Sequence, residues 1–299
     1  MRFDSYHPMI NFIYFFTGAF CAFAFDHPAY IAVTFLSFFI YSVKLNGKKA
    51  LVFNLCLIPL VILYAGYYSY YNHFGLTPIG VTVIGNNITL ESLCFGLSIG
   101  TRTAAFLIGM SCMFKVVTSD KVVYLFGKIS PRLSLFLSVM LRAVPQIKTR
   151  AAKINLAQAG IGRGTRQGNI LKRIGNSFRI LSVLITWTLE SFVESAASMR
   201  SRGNLLKGRT AFSIYRFDNR DRSVVIAMFF LITLTLMAFL LDQTGIHYDP
   251  QIVFNRVTSL STIFYAAYAA FILLPMILQI SGEYSFERAR KESARRNGN

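Results

Sequence analysis

The chain has 299 residues, of which 54% are hydrophobic, 15% aromatic and only 15% charged. Its 31 Lys and Arg outnumber 13 Asp and Glu, which gives a net charge of +18 at pH 7. These totals exclude an ordinary soluble domain, a disordered chain, a collagen and a disulfide scaffold, and they indicate a protein that has the bilayer as its solvent. The four cysteines stand singly in apolar sequence, which predicts small buried side chains and no metal or disulfide site.

Six apolar segments are candidates for membrane crossing, which takes about 17 to 25 residues. Four lie early in the chain and two lie late, at residues 9–25, 29–43, 50–68, 93–117, 223–241 and 260–280. We therefore predict an all-α polytopic membrane protein with about six transmembrane helices. Its predicted parts are a four-helix membrane part at 1–117, a helical module at 118–222, and a two-helix membrane part with a basic tail at 223–299.

The loops between these segments predict the orientation of the chain. Residues 44–49 hold three lysines, whereas residues 26–28 and 69–89 hold no Lys or Arg. Because cytoplasmic loops carry the excess of Lys and Arg, we predict that residues 44–49 and both termini are cytoplasmic. The tail fits this orientation, since its cations are Arg288, Arg290, Lys291, Arg295 and Arg296.

Most of the excess positive charge lies in the middle of the chain. Residues 115–222 hold 20 Lys and Arg but only five acids. Two apolar stretches in this region, residues 133–144 and 180–193, are shorter than a membrane span. If both crossed, the basic residues 163–179 would lie outside, against the positive-inside rule. The sequence therefore predicts a cytoplasmic module built on a pair of long helices.

The first long helix of this module is predicted by a seven-residue repeat. Apolar or small residues recur at alternating spacings of four and three, at Leu133, Leu137, Met140, Val144, Ile147, Ala151 and Ile154. The pattern is typical of a helix that packs along another helix. Pro145 interrupts it, and because proline removes a backbone hydrogen bond, we predict a bend or hinge there. We expect Lys148, Arg150 and Lys153, on the other faces, to meet water or lipid headgroups.

The second long helix, at about residues 177–202, is predicted to pack through small side chains. Its stripe consists of Ser191, Ser195 and Ser198 and continues to Arg202. Small residues allow another helix to approach closely, which suits a crossing of two long helices.

Two acids, Glu190 and Glu194, lie one turn apart in this otherwise basic region. We interpret them as partners in salt bridges to the basic helix. A metal site would require further ligands, and no His is near them in sequence.

Both long helices are predicted to end in an Arg-Gly pair. The first reaches Gly162-Arg163-Gly164 and the second Ser201-Arg202-Gly203. Glycine supplies a left-handed helix cap, and arginine near a helix end complements the helix dipole. An arginine projected from a helix end also offers a planar fork of donors to a partner's carboxylates or carbonyls. Two copies in one module predict two equivalent docking points.

These features resemble the transmembrane T component of energy-coupling factor (ECF) transporters. The family's mark is a pair of Ala-Arg-Gly motifs at the ends of cytoplasmic coupling helices, and here Gly162 and Ser201 replace the alanines. The likeness covers roughly residues 9–240. It includes the segments at 88–93 (Ile-Thr-Leu-Glu-Ser-Leu), 118–120 (Thr-Ser-Asp), 131–133 (Pro-Arg-Leu) and 141–145 (Leu-Arg-Ala-Val-Pro). The last predicted crossing and the tail exceed the family's usual five crossings.

The resemblance implies a non-catalytic scaffold and energy-coupling subunit in the bacterial cytoplasmic membrane. Such a subunit holds a membrane-embedded S component, which binds the vitamin or metal ion, and rests its coupling helices on two cytoplasmic ABC-type ATPases. Arg163, Gly164, Arg202 and Gly203 would then contact the ATPases. ATP and Mg²⁺ would be bound by those partners, because this chain has no G-x-x-x-x-G-K-[ST] motif. We expect no cofactor and no nucleic acid to bind this chain.

Three other functions compete with this interpretation. A self-sufficient secondary transporter would place ionisable residues at mid-membrane, where the spans offer little beyond Arg102, which we expect near the cytoplasmic half or facing a partner. A serine hydrolase would use the G-x-S-x-G at residues 96–100, but that motif needs a strand-to-helix turn, and Gly96 and Gly100 better predict a helix-packing face. The basic module could also adhere to anionic lipid by charge alone.

Overall fold

The structure is a computed structural model that describes residues 3–81, 87–203, 206, 215–253 and 258–297. The described part is all-α apart from one two-stranded ribbon, as the sequence predicted. Its elements are α1 (Pro8–Ala24), α2 (Pro28–Asn46), α3 (Lys48–Tyr71), β1 (Pro78–Val81), β2 (Asn87–Thr89), α4 (Leu90–Val116), α5 (Ser119–Ile129), α6 (Pro131–Gly160), α7 (Ile170–Ser201), α8 (Asn219–Leu240) and α9 (Ser259–Asn297).

The chain divides into two compact units. The membrane unit comprises Met1–Thr118 and Tyr215–Asn299, and the inserted unit comprises Ser119–Ile214. The membrane unit thus combines α1 to α4 with α8 and α9, while α5 to α7 form the inserted unit.

Each of the six predicted crossings lies on one helix of the membrane unit. Five of these helices, α2, α3, α4, α8 and α9, are long and apolar enough to cross a bilayer, and α1 falls slightly short with 17 residues. In addition, α7 meets the same criterion of length and hydropathy. From the sequence we considered only the apolar stretch at 180–193 for this region, which is shorter than a membrane span. The helix that contains it has 32 residues. The cytoplasmic placement of α7 therefore rests on the charge argument and stays a prediction.

Capping residues, prolines and a glycine determine where the first helices begin and end. His7 and His27 cap α1 and α2, because each ring accepts a hydrogen bond at 3.3 Å from the backbone N–H two residues later. A proline follows each histidine in the first turn, where its missing N–H costs nothing. Gly47, with φ of 65°, is the residue that terminates α2 and immediately precedes α3. The predicted loops at 26–28 and 44–49 are therefore tight turns.

The ribbon of β1 and β2 was not predicted, since residues 69–89 lacked an apolar pattern long enough to stand out. Its strands pair antiparallel directly before α4. The Glu91 carboxylate in the first turn of α4 accepts a hydrogen bond from the Thr77 hydroxyl at 2.7 Å. This contact fastens the ribbon to the helix.

Close packing of α3 on α4 depends on two glycines. A methyl group on Gly96 would lie 3.1 Å from the Ala65 Cα, and one on Gly100 would lie 3.1 Å from the Val61 side chain. The predicted small-residue packing face is therefore confirmed, and its partner is α3 of the same chain. The G-x-S-x-G sequence lies inside the helix, away from any strand-to-helix turn.

The sixth predicted helix, α9, belongs to the core of the membrane unit. Tyr268 and Phe271 are fully buried. The Tyr14 hydroxyl donates to the Ile272 carbonyl at 2.8 Å, and the Thr34 and Tyr268 hydroxyls lie 2.5 Å apart. Buried hydroxyls bonded in this way fix α9 against α1 and α2.

The same helix continues beyond the predicted span at 260–280 as a basic extension. Lys44 Nζ at the end of α2 forms an ion pair with Glu283 at 2.9 Å. Arg288, Arg290 and Lys291 are exposed on the extension. The side chains of Arg295 and Arg296 lie outside the described residues.

Arg102 corrects one sequence-based expectation. It lies on α4 and forms an ion pair with Asp26 in the turn between α1 and α2. That turn is at the opposite end of α2 from the lysines at 44–49, and the partner is within the chain. Arg102 therefore points toward the end of α2 opposite to the one predicted to be cytoplasmic, because a long side chain pairs with whichever acid the fold brings within reach. Whether it also faces a partner stays a prediction.

The glycine contacts predict the effect of a large side chain on α4. Replacing Gly96 by Leu should destabilise the membrane unit by about 1 to 3 kcal/mol, because the backbone of α3 blocks the new atoms. Gly66→Leu on α3 is the matched control, since the space around Gly66 is open. Thermal unfolding of the purified variants in detergent measures the difference, and equal stability of the two variants would contradict the packing account.

Candidate functional site

The inserted unit contains the predicted pair of long helices. Helices α6 and α7 have 30 and 32 residues, which gives lengths of about 45 and 48 Å at 1.5 Å per residue. Helix α6 begins with Pro131 after Ser130, an arrangement typical of a helix start. It continues through Pro145 to Gly160 as one unbroken helix, and the predicted hinge at Pro145 stays a prediction.

The contact between α6 and α7 is narrow. Among the described residues of α6 and α7, the buried side chains are Ala143 and Ile154 of α6 and Ile180 and Thr188 of α7, and α6 also packs against α5. Leu137, Ile147 and Ala151 of the predicted seam are half-buried, whereas Leu133, Met140 and Val144 are exposed in this unit. The buried stripe is thus rotated toward Ala143 relative to the predicted seam, and the contribution of the exposed members to helix packing stays a prediction.

Arg150 of α6 contacts α7, although we expected it to meet water. Its Nη2 donates a hydrogen bond to the Ser191 hydroxyl at 2.7 Å, and its guanidinium lies 5.2 Å from the centre of the Trp187 ring. A cation over an aromatic face is attracted by the ring's quadrupole, and the long stem of arginine covers apolar surface. The sequence could not reveal this, because periodicity assigns every arginine to the water-facing side.

The other predicted small residues of α7 have no such contact. Ser195 and Ser198 are exposed. They lie on the same face of α7 as the buried Ile180 and Thr188, which are nearer the start of the helix. Their role in packing against a second helix stays a prediction.

The two acids of α7 do not form the expected salt bridges. Glu190 and Glu194 are exposed, and no ion pair joins them to a cation within the part of the chain that the structure describes. Among the described residues, no group of three or more His, Cys, Asp or Glu could hold a metal ion.

The first Arg-Gly pair lies in a turn that is bonded to both helices. Gly162 takes the left-handed conformation with φ of 73°, and the Arg163 N–H donates to the Gln158 carbonyl at 2.9 Å. The Gly164 N–H donates to the Gln167 side chain at 2.9 Å, and the Gly164 carbonyl accepts from Asn176 of α7 at 3.2 Å.

Two further hydrogen bonds complete this turn. Thr165 donates through its backbone N–H and its hydroxyl to Asn155 of α6, each at 3.1 Å. Gly164 is buried, and a methyl group there would lie 3.0 Å from the Ala159 side chain. Because the backbone is held and buried on both sides, the exposed Arg163 side chain projects from a fixed point.

The second Arg-Gly pair is built differently. Arg202 is itself the residue that ends α7, with its N–H donating to the Ser198 carbonyl at 3.2 Å, and its side chain is exposed. Gly203 follows with φ of 77°, as predicted for a left-handed cap. In the first pair, the left-handed glycine precedes the arginine and Gly164 is needed for close packing. The two ends are therefore not equivalent.

Helix α7 also carries an uncovered apolar face. Its members are Leu171, Ile174, Phe178, Leu181, Ile185 and Leu189, all of them exposed. They recur at spacings of three and four and so share one side of the helix. This face is distinct from the stripe that contacts α6. The unit thus presents two exposed arginine ends and an apolar face.

No protein-family model matches the chain. Three curated relatives share the name "Energy-coupling factor transporter transmembrane protein EcfT". The protein from Bacillus selenitireducens is 33% identical over 107 residues, which are 36% of this chain and 40% of the relative. The one from Lactococcus lactis is 29% identical over 106 residues, which are 35% of this chain and 40% of the relative. The one from Staphylococcus aureus is 28% identical over 116 residues, which are 38% of this chain and 42% of the relative.

The matched part thus spans about two fifths of each of these relatives. The resemblance to the T component of ECF transporters is confirmed at this level. The chain is similar to membrane subunits of a transporter, and its own apolar helices are those of a multi-pass membrane protein.

The buried position of Gly164 predicts that a side chain there will open the turn. Gly164→Val should displace Ala159 and weaken two hydrogen bonds, the one that Asn176 donates to the residue-164 carbonyl and the one that the residue-164 N–H donates to Gln167. Trypsin should then cleave after Arg163 and Arg166 severalfold faster. Gly160→Val, four residues earlier at the end of α6 with open space around it, is the control. Peptide mass spectrometry of timed digests compares the two, and equal cleavage rates would show that the turn does not depend on Gly164.

Proposed function

We propose that this chain is the T component of an ECF-type ABC importer, linking two cytoplasmic ATPases to a membrane-embedded S component for uptake of a micronutrient. The observation that carries the proposal is the pair of exposed arginines, each presented by a shaped helix end on one basic helical unit. The three EcfT relatives and the five long apolar helices of the membrane unit, α2, α3, α4, α8 and α9, support it.

In this proposal, Arg163 and Arg202 contact one ATPase each. A guanidinium on a fixed backbone binds a carboxylate or a row of carbonyls with two parallel hydrogen bonds, and lysine cannot reproduce that geometry. Gly164 and Gly203 allow the close approach and the left-handed turn that present the two arginines. ATP and Mg²⁺ bind to the ATPases. This chain binds the partner subunits and transmits their movement, and it catalyses no reaction.

Transmission requires that α6 and α7 change their relative position. Their narrow contact supports such movement, because few side chains of the two helices are buried and Arg150 provides one hydrogen bond and one ring contact between them. A narrow, partly polar contact can slide or re-pair at lower cost than a dense apolar seam. Closing of the ATPases would pull on the two ends and shift one helix along the other.

The S component would contact exposed apolar surface, and the uncovered face of α7 is one such surface in the inserted unit. The membrane unit would anchor the assembly in the bacterial cytoplasmic membrane, with both termini and the inserted unit in the cytoplasm. The lysines at 44–49 and the basic inserted region support this orientation.

Charge reversal of the two arginines tests the docking role. Arg163→Glu or Arg202→Glu should each reduce recovery of the ATPases with the tagged chain severalfold, and the double variant should abolish uptake by the assembled transporter. The lysine variants should also lose recovery, because charge alone does not replace the planar fork. Affinity co-purification and substrate uptake into proteoliposomes are the measurements.

The chain offers matched controls for this experiment. Arg166→Glu lies three residues from Arg163, and Arg200→Glu lies two residues from Arg202, and both of these side chains are exposed. They make the same change in net charge without altering a proposed docking residue. An equal loss in the controls would indicate adhesion by charge alone. Uptake by the purified wild-type chain without ATPases would instead support a self-sufficient secondary transporter.

The orientation of α7 is testable by thiol labelling in intact cells. In a chain whose exposed Cys56 is replaced by Ser, Asn169→Cys and Arg200→Cys, at the two ends of α7, should both react only after the membrane is made permeable to the reagent. Gln251→Cys, between α8 and α9, should react from outside without permeabilisation. Reaction of exactly one of the first two cysteines from outside would mean that α7 crosses the membrane, and the proposed coupling module would be rejected.

A further inference from the structure

Helix α9 continues far beyond its apolar segment. Its 39 residues span about 58 Å at 1.5 Å per residue, whereas the hydrocarbon core of a bilayer is about 30 Å thick. The residues that follow the apolar segment at 260–280 therefore extend past the core. Residues 281–299 hold five Lys and Arg and three acids, and none of the contacts proposed above uses them.

The start of this extension is attached to the end of α2. Lys44 Nζ forms an ion pair with Glu283 at 2.9 Å, and the Gln279 amide donates a hydrogen bond to Glu283 at 3.2 Å. Lys48 and Lys49 follow closely, both exposed at the start of α3. One face of the extension is therefore held against the rest of the membrane unit, and the charge of Glu283 is compensated within the chain.

A different face of the extension carries a cationic stripe, which consists of Tyr284, Arg288 and Lys291. Their spacings of four and three place them within about 60° of one another around the helix. The stripe lies about 100° around the helix from Glu283. All three side chains of the stripe are exposed. Among the side chains that the structure describes, neither cation of the stripe forms an ion pair with an acid.

The cations of this stripe are directed back toward the membrane. Side chains of an α-helix tilt toward its N-terminus, and on that side of the extension lies the apolar segment. The Arg288 guanidinium accordingly lies 4.9 Å from the centre of the Tyr284 ring, one turn nearer that segment. Arg288 follows Ile280 by eight residues, a rise of about 12 Å, and each headgroup layer is about 5 to 8 Å thick. A long side chain directed back from Arg288 therefore ends near the level of the lipid phosphates.

We propose that Arg288 and Lys291 bind the phosphate of an anionic phospholipid, with the Tyr284 ring supporting Arg288 at the membrane surface. A guanidinium forms paired hydrogen bonds with phosphate oxygens, and cations next to a membrane helix attract anionic headgroups. A tyrosine ring suits the same level, because its body is apolar and its hydroxyl is polar. This inference requires only that α9 is a membrane helix and does not depend on the proposed transport function.

The position of the stripe favours a lipid over a protein as its partner. The stripe begins one turn after Ile280, where the apolar segment ends, and its cations are directed toward that segment. An anionic lipid has its phosphate at this level and its acyl chains beside the apolar segment, so one molecule meets both surfaces. A zwitterionic lipid fits less well, because its headgroup carries a cation that the stripe repels.

Fluorescence quenching by brominated lipids tests the proposal on the full chain in vesicles. The chain has a single tryptophan, so Trp187→Phe with Ile280→Trp leaves one reporter. Residue 280 is exposed and lies one turn before Tyr284 on the same side of the helix. Phosphatidylglycerol with brominated acyl chains should bind beside this reporter at least fivefold better than brominated phosphatidylcholine, since each cation near an anionic surface contributes about fivefold.

Neighbouring cations of α9 provide the variants and the control. Arg288→Gln and Lys291→Gln should each lower the preference for phosphatidylglycerol about fivefold, and the double variant should remove it. Arg290→Gln makes the same change in charge two residues from Arg288, on nearly the opposite side of the helix, and should leave the preference unchanged.

Three outcomes would overturn the proposal. Equal quenching of the reporter by the two lipids would leave an acidic protein segment as the partner of the stripe. An equal loss of preference in Arg290→Gln would show diffuse attraction by charge, and an undiminished preference in the double variant would exclude the stripe. Thermal unfolding of each variant shows whether it is folded. If the double variant does not fold, the comparison of Arg288→Gln with Arg290→Gln decides the question.

Discussion

The structure depends on the inability of hydrocarbon to solvate charge. A charged side chain within the bilayer is costly, so long apolar helices leave few places for a net charge of +18. The chain concentrates that charge in one inserted unit and in short turns, and it pairs the arginine on α4 with Asp26 at a helix connection. This constraint explains why the chain consists of an apolar membrane unit and a basic helical unit. The two proposed roles follow the same division, because the membrane unit would anchor the assembly and the basic unit would contact soluble partners.

Features set by length, composition and backbone chemistry could be predicted from sequence. The six apolar segments each correspond to a helix, because a run of apolar residues can satisfy its backbone only by helical hydrogen bonds in lipid. Gly96 and Gly100 were recognisable as a packing face because only a missing side chain allows two backbones so close. The left-handed glycine after Arg202 was predictable for a similar reason. In each case the signal lies in the residue itself or in its immediate neighbours.

Features set by long side chains could not be predicted. Periodicity placed Arg150 in water, yet its guanidinium lies over Trp187, 37 positions away, and bonds Ser191. The same difficulty applies to Glu190, whose expected salt bridge is absent among the described residues, and to Arg102. A long, flexible side chain such as that of Glu or Arg can reach partners in several directions, and tertiary packing decides which partner it meets. For Gly164, the reason for glycine is the Ala159 side chain beneath it, which no local pattern reveals.

The unlike construction of the two arginine ends has a mechanical consequence. Force applied at Arg163 passes through its turn into Asn155 and Ala159 on one helix and into Asn176 on the other, so it loads both helices together. Force applied at Arg202 enters along the axis of α7, through backbone bonds that lie within that helix among the described residues. The Arg163 end is thus braced by both helices, whereas the Arg202 end is the terminus of a single helix. Even two identical ATPases bound at these ends would therefore move the helices by different amounts.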